Sequence, residues 1–235
     1  MRLLSYNIHK GVGGRDRRYR LGRIIEVLER EQPDLICLQE VDRNVRRSRF
    51  DNQPRHLAKL MSTAESMYQL NVHLKSGGYG NLLVSRWPLR TQHQSSLRWK
   101  QKKPRGAQLA VIETPDGPLH LVNVHLGLAE KERHWQVRHL LTHRLFLESA
   151  KLPTIIIGDT NDWRNRLDRQ ILRPHGFRQA TKPISRFRSF PAYLPIGSLD
   201  KAFYRDVQFE HARIARTKMT RRASDHLPLV IDFSL

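Results

Sequence analysis

Cysteine is almost absent: Cys37 is the single thiol in 235 residues. One thiol makes no internal disulfide and no thiolate cage, so a disulfide scaffold and a cysteine-built zinc site are excluded. Cys37 lies in the apolar run Leu35-Ile36-Cys37-Leu38, which marks it as a packed core thiol rather than a nucleophile. Long hydrophobic stretches are missing too. No uninterrupted apolar run approaches the ~18 residues a membrane span needs. Arg2, Ser5 and Asn7 stand where the apolar core of a secretory leader would run, so a cytoplasmic protein is expected. Negative charge is scarce: 22 acidic residues face 42 Lys and Arg, a net charge of +20. Solubility alone asks for roughly 2 to 8 net charges in a small domain. The excess therefore points to a polyanionic partner, either nucleic acid or an anionic membrane surface.

What is present is enough for a core. Hydrophobic residues make up 39% of the chain, and one domain over residues 1–235 is expected, since no low-complexity linker interrupts it. Residues 3–8 read as a strand. Leu21, Ile24, Ile25 and Leu28 then recur with the spacing of one helix face. Gln32-Pro33 ends that helix, because a residue before proline avoids the α region. Residues 35–38 form a continuous apolar run, the pattern of a strand covered on both faces. The same order returns later: a strand over 119–124, a helix over 131–149 with Val137, Leu140, Leu141 and Leu145 on one face, and a buried strand over 153–157. Further strands are expected over 81–85, 107–114, 199–204 and 229–233, with Pro115-Asp116-Gly117-Pro118 as a hairpin turn.

Polar residues cluster where these strands end: Asn7, Gln39 and Glu40, Asn123 and His125, Asp159 and Asn161, Asp200, Asp225 and His226. Residues just beyond strand C-termini in α/β sheets converge on one crevice. Acids and amides there suit a hard, oxygen-seeking cation such as Mg²⁺. Taken one at a time, each has an ordinary explanation as a turn former, a cap or an ion-pair partner. His134, His139 and His143 are placed in that ordinary class, with no carboxylate nearby in sequence to complete a metal set.

In order, Ser5-Tyr6-Asn7, Gln39-Glu40, Asn123-Val124-His125-Leu126, Gly158-Asp159-Thr160-Asn161, Ser198-Leu199-Asp200 and Ser224-Asp225-His226-Leu227-Pro228 resemble the motifs of the endonuclease/exonuclease/phosphatase superfamily, which includes DNase I. The resemblance runs from residue 5 to residue 228. It implies a four-layer α/β sandwich, with two packed mixed β-sheets flanked by helices. It also implies a Mg²⁺-dependent phosphodiester hydrolase, with Mn²⁺ as a possible substitute. Glu40 would be the principal metal ligand, with Asn7 and Asp225 completing or orienting the set. Asp159 would accept a proton from the attacking water or orient it, and Asn161 would hold that water or a phosphate oxygen. His226 would donate to a phosphoryl oxygen while Asp200 keeps its ring oriented and cationic. His125 would be a second phosphate-contacting histidine and a candidate general acid. Asn81 and Asn123 would border the substrate. Thr160 and Ser198 depart from the family's commoner residues at their positions.

Three functional readings follow. The first is a nuclease of low sequence specificity, favoured by charge and by bases set beside aromatics, as in Arg18-Tyr19-Arg20, Arg98-Trp99-Lys100 and Trp163-Arg164. The alternative acts on phospholipid or a small phosphorylated head group at an anionic membrane, with the apolar loop at 189–195 at its mouth. The third is an inactive binding module with the same fold.

Overall fold

The computed structural model describes residues 1–60 and 65–235. Its first half runs β1 (Arg2–Asn7), α1 (Leu21–Glu31), β2 (Leu35–Arg43), α2 (Gln53–Ala58), β3 (Glu65–Leu74), β4 (Gly77–Ser85), β5 (Leu89–Ser96), β6 (Gly106–Thr114) and β7 (Gly117–His125). Then follow α3 (Glu130–Leu141), α4 (Arg144–Glu148), β8 (Thr154–Asp159), β9 (Arg178–Gln179), β10 (Asp200–Arg205), β11 (Gln208–Ile214), α5 (Thr220–Ala223) and β12 (Leu229–Ser234). The strands form two six-stranded mixed sheets, ordered β11-β12-β1-β2-β4-β3 and β5-β6-β7-β8-β10-β9.

The period-two alternation of a strand decides how these sheets stack. Leu3, Leu35, Cys37 and Leu83 of the first sheet meet Ala110, Leu119, Leu121, Ile155 and Ile157 of the second in one buried cluster. Their neighbours Leu4, Ile36 and Leu38 point the other way, onto Ile24, Val27 and Leu28 of α1. On the far side, Leu109, Val122 and Ile156 pack against Val137, Leu140, Leu145 and Phe146 of α3 and α4. Four layers result, helix–sheet–sheet–helix, as expected. Cys37 is fully buried between the sheets, and burial pushes its thiol well above the ordinary range. Among the described residues no helix is long and apolar enough to cross a membrane.

Two differences from the sequence reading have physical causes. The helix expected over 131–149 is two helices. Thr142 turns its hydroxyl onto the carbonyls of Arg138 and His139, His143 is extended, and the His143 ring accepts from the Leu145 amide to cap a new start. As expected, α1 ends at Gln32 ahead of Pro33, where the backbone enters the left-handed region with φ 45°. β3, β5 and β11 lie largely outside the apolar runs; β11 mixes exposed and half-buried side chains and so carries little of the alternation a buried strand shows.

Register brings the polar residues together. Asn7 lies opposite Gln39 in the parallel pair β1/β2. His125 lies opposite Asp159 in the parallel pair β7/β8, and Asp159 opposite Asp200 in β8/β10. Gly158, at φ 147°, passes so close to the Val124 carbonyl that an added Cβ would sit 2.0 Å from its oxygen. Only glycine allows β8 to keep that register with β7.

Candidate active site

Asp159 is the hub. Its Oδ2 accepts from the Asn7 amide at 3.0 Å and stands 3.5 Å from His125 Nε2 and 3.7 Å from His226 Nε2. Its Oδ1 accepts from the backbone N–H of Asn161 at 3.1 Å, and the Asn161 amide donates to the Leu126 carbonyl. Behind His226, Nδ1 meets Asp200 Oδ2 at 2.8 Å, and the Ser189 hydroxyl donates to that same oxygen at 2.5 Å. Asp159, Asp200 and His226 are all buried.

Electrostatics follow from the burial. Loss of water disfavours the imidazolium of His226, but Asp200 and Asp159 outweigh that and raise its pKa, keeping the ring protonated at neutral pH. Burial likewise raises Asp159 above the ordinary carboxylate range; the negative charge of Asp200 adds to this, and His226, Asn7 and Arg105 oppose it. His125 behaves oppositely. Burial, then the neighbouring Arg105, lowers its pKa well below the usual value. Geometry agrees: Arg105 Nη1 lies 2.5 Å from His125 Nε2, and a guanidinium has only donors, so the ring nitrogen presents a lone pair. His125 is a neutral ring.

On the other flank stands Glu40. The β2/β4 register shifts between Leu38 and Val41, and Glu40 sits in that irregularity with φ 58°. Such a bulge re-aims a side chain. The Lys10 ammonium hydrogen-bonds Glu40 Oε2. Burial opposes ionisation of Glu40, yet Lys10 holds its pKa down to about 2. Asp225 lies on the loop ahead of β12, its Oδ2 3.8 Å from His9 Nε2. The Asn7 side-chain Oδ1 accepts from the His9 backbone N–H at 3.1 Å. His9, Lys10, Glu40 and Asn161 all have positive φ, between 46° and 63°. Left-handed non-glycine residues gathered at one place are a mark of functional sites.

Two donor sets suggest themselves for a cation. Asp159, Asp200 and His226 offer ligand atoms within 4.8 Å of one another and form a group that could hold a metal. In this structure that group is committed within the fold: His226 Nδ1 meets Asp200 Oδ2, which also accepts from the Ser189 hydroxyl, and Asp159 accepts from Asn7 and the Asn161 backbone. Glu40, Asp225 and Asn7 supply oxygens only, the chemistry a hard cation selects, and the Lys10 ammonium against Glu40 is a stand-in cation in that position. Their donor chemistry fits a divalent ion.

Asn81 and Asn123 are fully buried beneath the site. Asn123 exchanges amide hydrogen bonds with Gln39 and Gln108, tying the two sheets together, and Asn81 donates to the Gly106 carbonyl. Both lie in the floor rather than at a surface a substrate would touch, which corrects the substrate-bordering role read from sequence. Thr160 hydrogen-bonds the Leu199 carbonyl through both hydroxyl and amide, so its departure from the family's commoner residues secures β8 against the start of β10. Lys10 and Arg105 join the site unannounced; Ser189 and Phe190 open the loop expected at its mouth, and the Phe190 ring packs 4.9 Å from that of His226.

The family model described as the Endonuclease/Exonuclease/phosphatase family matches residues 4–226. The uncharacterized protein YbhP of Escherichia coli (strain K12) is 28% identical over 252 residues, covering 100% of this chain and 96% of that protein. Among solved structures, the human Nocturnin catalytic domain with bound sulfate anion superposes with TM-score 0.78 at 22% identity, covering 100% of this chain and 94% of that one. The mannosyl-6-phosphatase Bt3783 of Bacteroides thetaiotaomicron gives TM-score 0.72 at 14% identity, with both chains covered in full. The fold, the ordered motifs and the match over nearly the whole length agree: the chain belongs to the endonuclease/exonuclease/phosphatase family, whose members are phosphoester hydrolases.

Proposed function

We propose that the chain is a Mg²⁺-dependent phosphodiesterase acting on nucleic acid with little sequence preference. The observation that carries this reading is Asp159. Its carboxylate lies within 3.7 Å of a neutral and a cationic imidazole, with Asp200 behind the cationic one. Asp159, ionised, takes a proton from a water whose oxygen attacks phosphorus. The His226 imidazolium donates to a non-bridging phosphoryl oxygen as negative charge gathers there. Asp200, fixed by Ser189, keeps that ring oriented and charged. Asn161, whose amide backs onto Leu126, holds Asp159 through its backbone N–H. His125, a neutral ring whose Nε2 accepts from Arg105, does not protonate the leaving alkoxide, a change from the general-acid role its motif suggests; as the bond from phosphorus to that oxygen breaks, the oxygen takes its proton from solvent water. Glu40, Asn7 and Asp225 would hold the divalent ion, with Mn²⁺ as a substitute, and the ion supplies Lewis-acid neutralisation of the phosphoryl oxygens.

Net charge of +20 and exposed aromatics beside the site favour nucleic acid. Trp163 is half exposed and packs edge-on against Phe190, which in turn packs on His226, so an unpaired base has a ring to stack on near the reacting phosphate. One observation favours a lipid or phosphorylated head group at an anionic membrane instead: Tyr193, Leu194 and Ile196 are more than half exposed at the tip of the neighbouring loop. Plasmid DNA, single-stranded RNA and phospholipid vesicles, each incubated with and without Mg²⁺, separate the two. Nucleic-acid cleavage that needs Mg²⁺ and disappears in Asp159→Asn and His226→Ala is the expected result. Cleavage surviving both substitutions, or confined to vesicles, overturns the reading.

A further inference from the structure

Among the described residues four lysine and arginine side chains are buried; two have a carboxylate partner, and Lys201 donates to the Asp162 backbone carbonyl. Arg23 reaches Asp16 at 2.6 Å, and Arg133 has Asp162 at 4.0 Å. Arg105, just ahead of β6, has no such partner. It is as buried as those two, at 6% exposed, and no carboxylate among the described residues forms an ion pair with it. Its Nε has no hydrogen-bond partner, and its Nη1 bonds only the neutral ring of His125. Its charge acts on Asp159 without an ion pair to it; a buried charge is stable when paired, and one with no direct partner beside a reaction centre leaves donors for an anion from outside.

The surroundings repeat the demand. Two residues earlier, Lys103 sets its Nζ 5.3 Å over the Tyr79 ring, where Arg47 approaches to 5.0 Å and Lys10 to 5.4 Å. Arg47 is neutralised by Asp42 and Lys10 by Glu40. Lys103 has no carboxylate partner among the described residues and is exposed. Like charges drawn to one ring repel unless an anion lies between them. The ring itself offsets part of this, since a cation over its face is attracted.

The geometry points to a second phosphate subsite, built by Arg105 and Lys103 with Lys10 and Arg47 around Tyr79, on the His125 side of the cleaved phosphate. It rests on the phosphodiesterase reading and sharpens it: the preferred substrate is an oligonucleotide whose scissile phosphate has a phosphate neighbour. Arg105, fixed in the floor, offers N–H donors to that neighbour, and Lys103, free at the rim, closes over it.

The test compares a thymidine dinucleotide carrying only its internal phosphate with one that also carries terminal phosphates at both ends. Wild type is expected to show at least about tenfold higher kcat/KM on the second, the effect of roughly one charge-assisted hydrogen bond. Lys103→Ala and Arg105→Gln bring that ratio near one, whereas Arg90→Ala, a basic residue paired with Glu113 on the far edge strand, keeps it. Lys103 is exposed, so its variant decides the matter even where Arg105→Gln fails to fold. A ratio near one in wild type, or one unmoved by Lys103→Ala, overturns the subsite while hydrolysis itself upholds the phosphodiesterase reading. Silence on both dinucleotides strikes that reading instead. Calorimetric titration with pyrophosphate then judges the subsite alone: binding lost in Lys103→Ala supports it, and equal binding in the two proteins overturns it.

Discussion

Asn7 and Glu40 come from the first sheet, joined by Asp225 on the loop before β12; His125, Asp159 and Asp200 come from the second. The side chains of Glu40 and Asp225 are 12% and 26% exposed, while those of Asp159 and Asp200 are 2% and 0%. The wetter flank meets its balancing charge in a long, rotatable lysine. The dry flank is locked by short hydrogen bonds among an aspartate, a serine and a histidine. Water access suits a position where an ion must enter and leave. Exclusion of water suits one where a proton must be held at a chosen affinity. On the proposed mechanism the two flanks would divide the labour of one phosphoryl transfer, and each is open to separate attack.

The largest effect belongs to the dry flank. Asp159→Asn removes the proton acceptor and lowers kcat by about 10³- to 10⁴-fold, the upper range for general-base catalysis. Mg²⁺ binding survives it, which a metal-dependent thermal shift registers. Next, His226→Ala lowers kcat/KM by about 100-fold or more through loss of one charged donor. The wet flank breaks differently. Mg²⁺ at 100 times its Kd stabilises wild type by about 2.7 kcal/mol in urea unfolding, and Glu40→Gln forfeits most of that gain. A Glu40→Gln protein that Mg²⁺ stabilises as well as wild type would mean that the ion sits on the other flank.

The smallest effect is a shift of pH dependence. Asp159 must be ionised and His226 protonated, so activity falls on the acid side through a pKa above the ordinary carboxylate value of about 3.9, and on the alkaline side through one above about 6.5. Asp200→Asn removes the negative charge that favours the imidazolium. The His226 pKa falls, and the alkaline limb moves to lower pH by about one to three units. A pH–rate profile with an unmoved alkaline limb would detach Asp200 from that role.

Much of this arrangement was legible in the chain. Apolar runs ending in Asn7, Glu40 and Asp159 announced strands that deliver polar groups to one edge, where Asp200 opens another strand, and the paired strand–helix–strand order announced two sheets with covers. Lys10 and Arg105 escaped, and Ser189 was read only as part of a rim loop, because a lysine, an arginine and a serine in a basic, loop-rich chain carry no local signal. Only contacts between residues far apart in sequence, such as Arg105 with His125 or Ser189 with Asp200, give them meaning. Asn81 and Asn123 misled for the converse reason. Their strand-end placement is that of a functional residue, but their side chains are consumed inside the fold. The long helix was overdrawn because apolar spacing continues through Thr142 and His143 while the backbone does not.

Glu40 and Asn161 hold a backbone shape that most side chains resist, at a cost of roughly 1 to 3 kcal/mol for each such position. Glycine adopts that shape freely. Selection for heat resistance alone would thus be drawn toward glycine at 40 and 161, and its winners would be sturdier and inert. Keeping these two residues sets a ceiling on how rugged a working version of this enzyme can become.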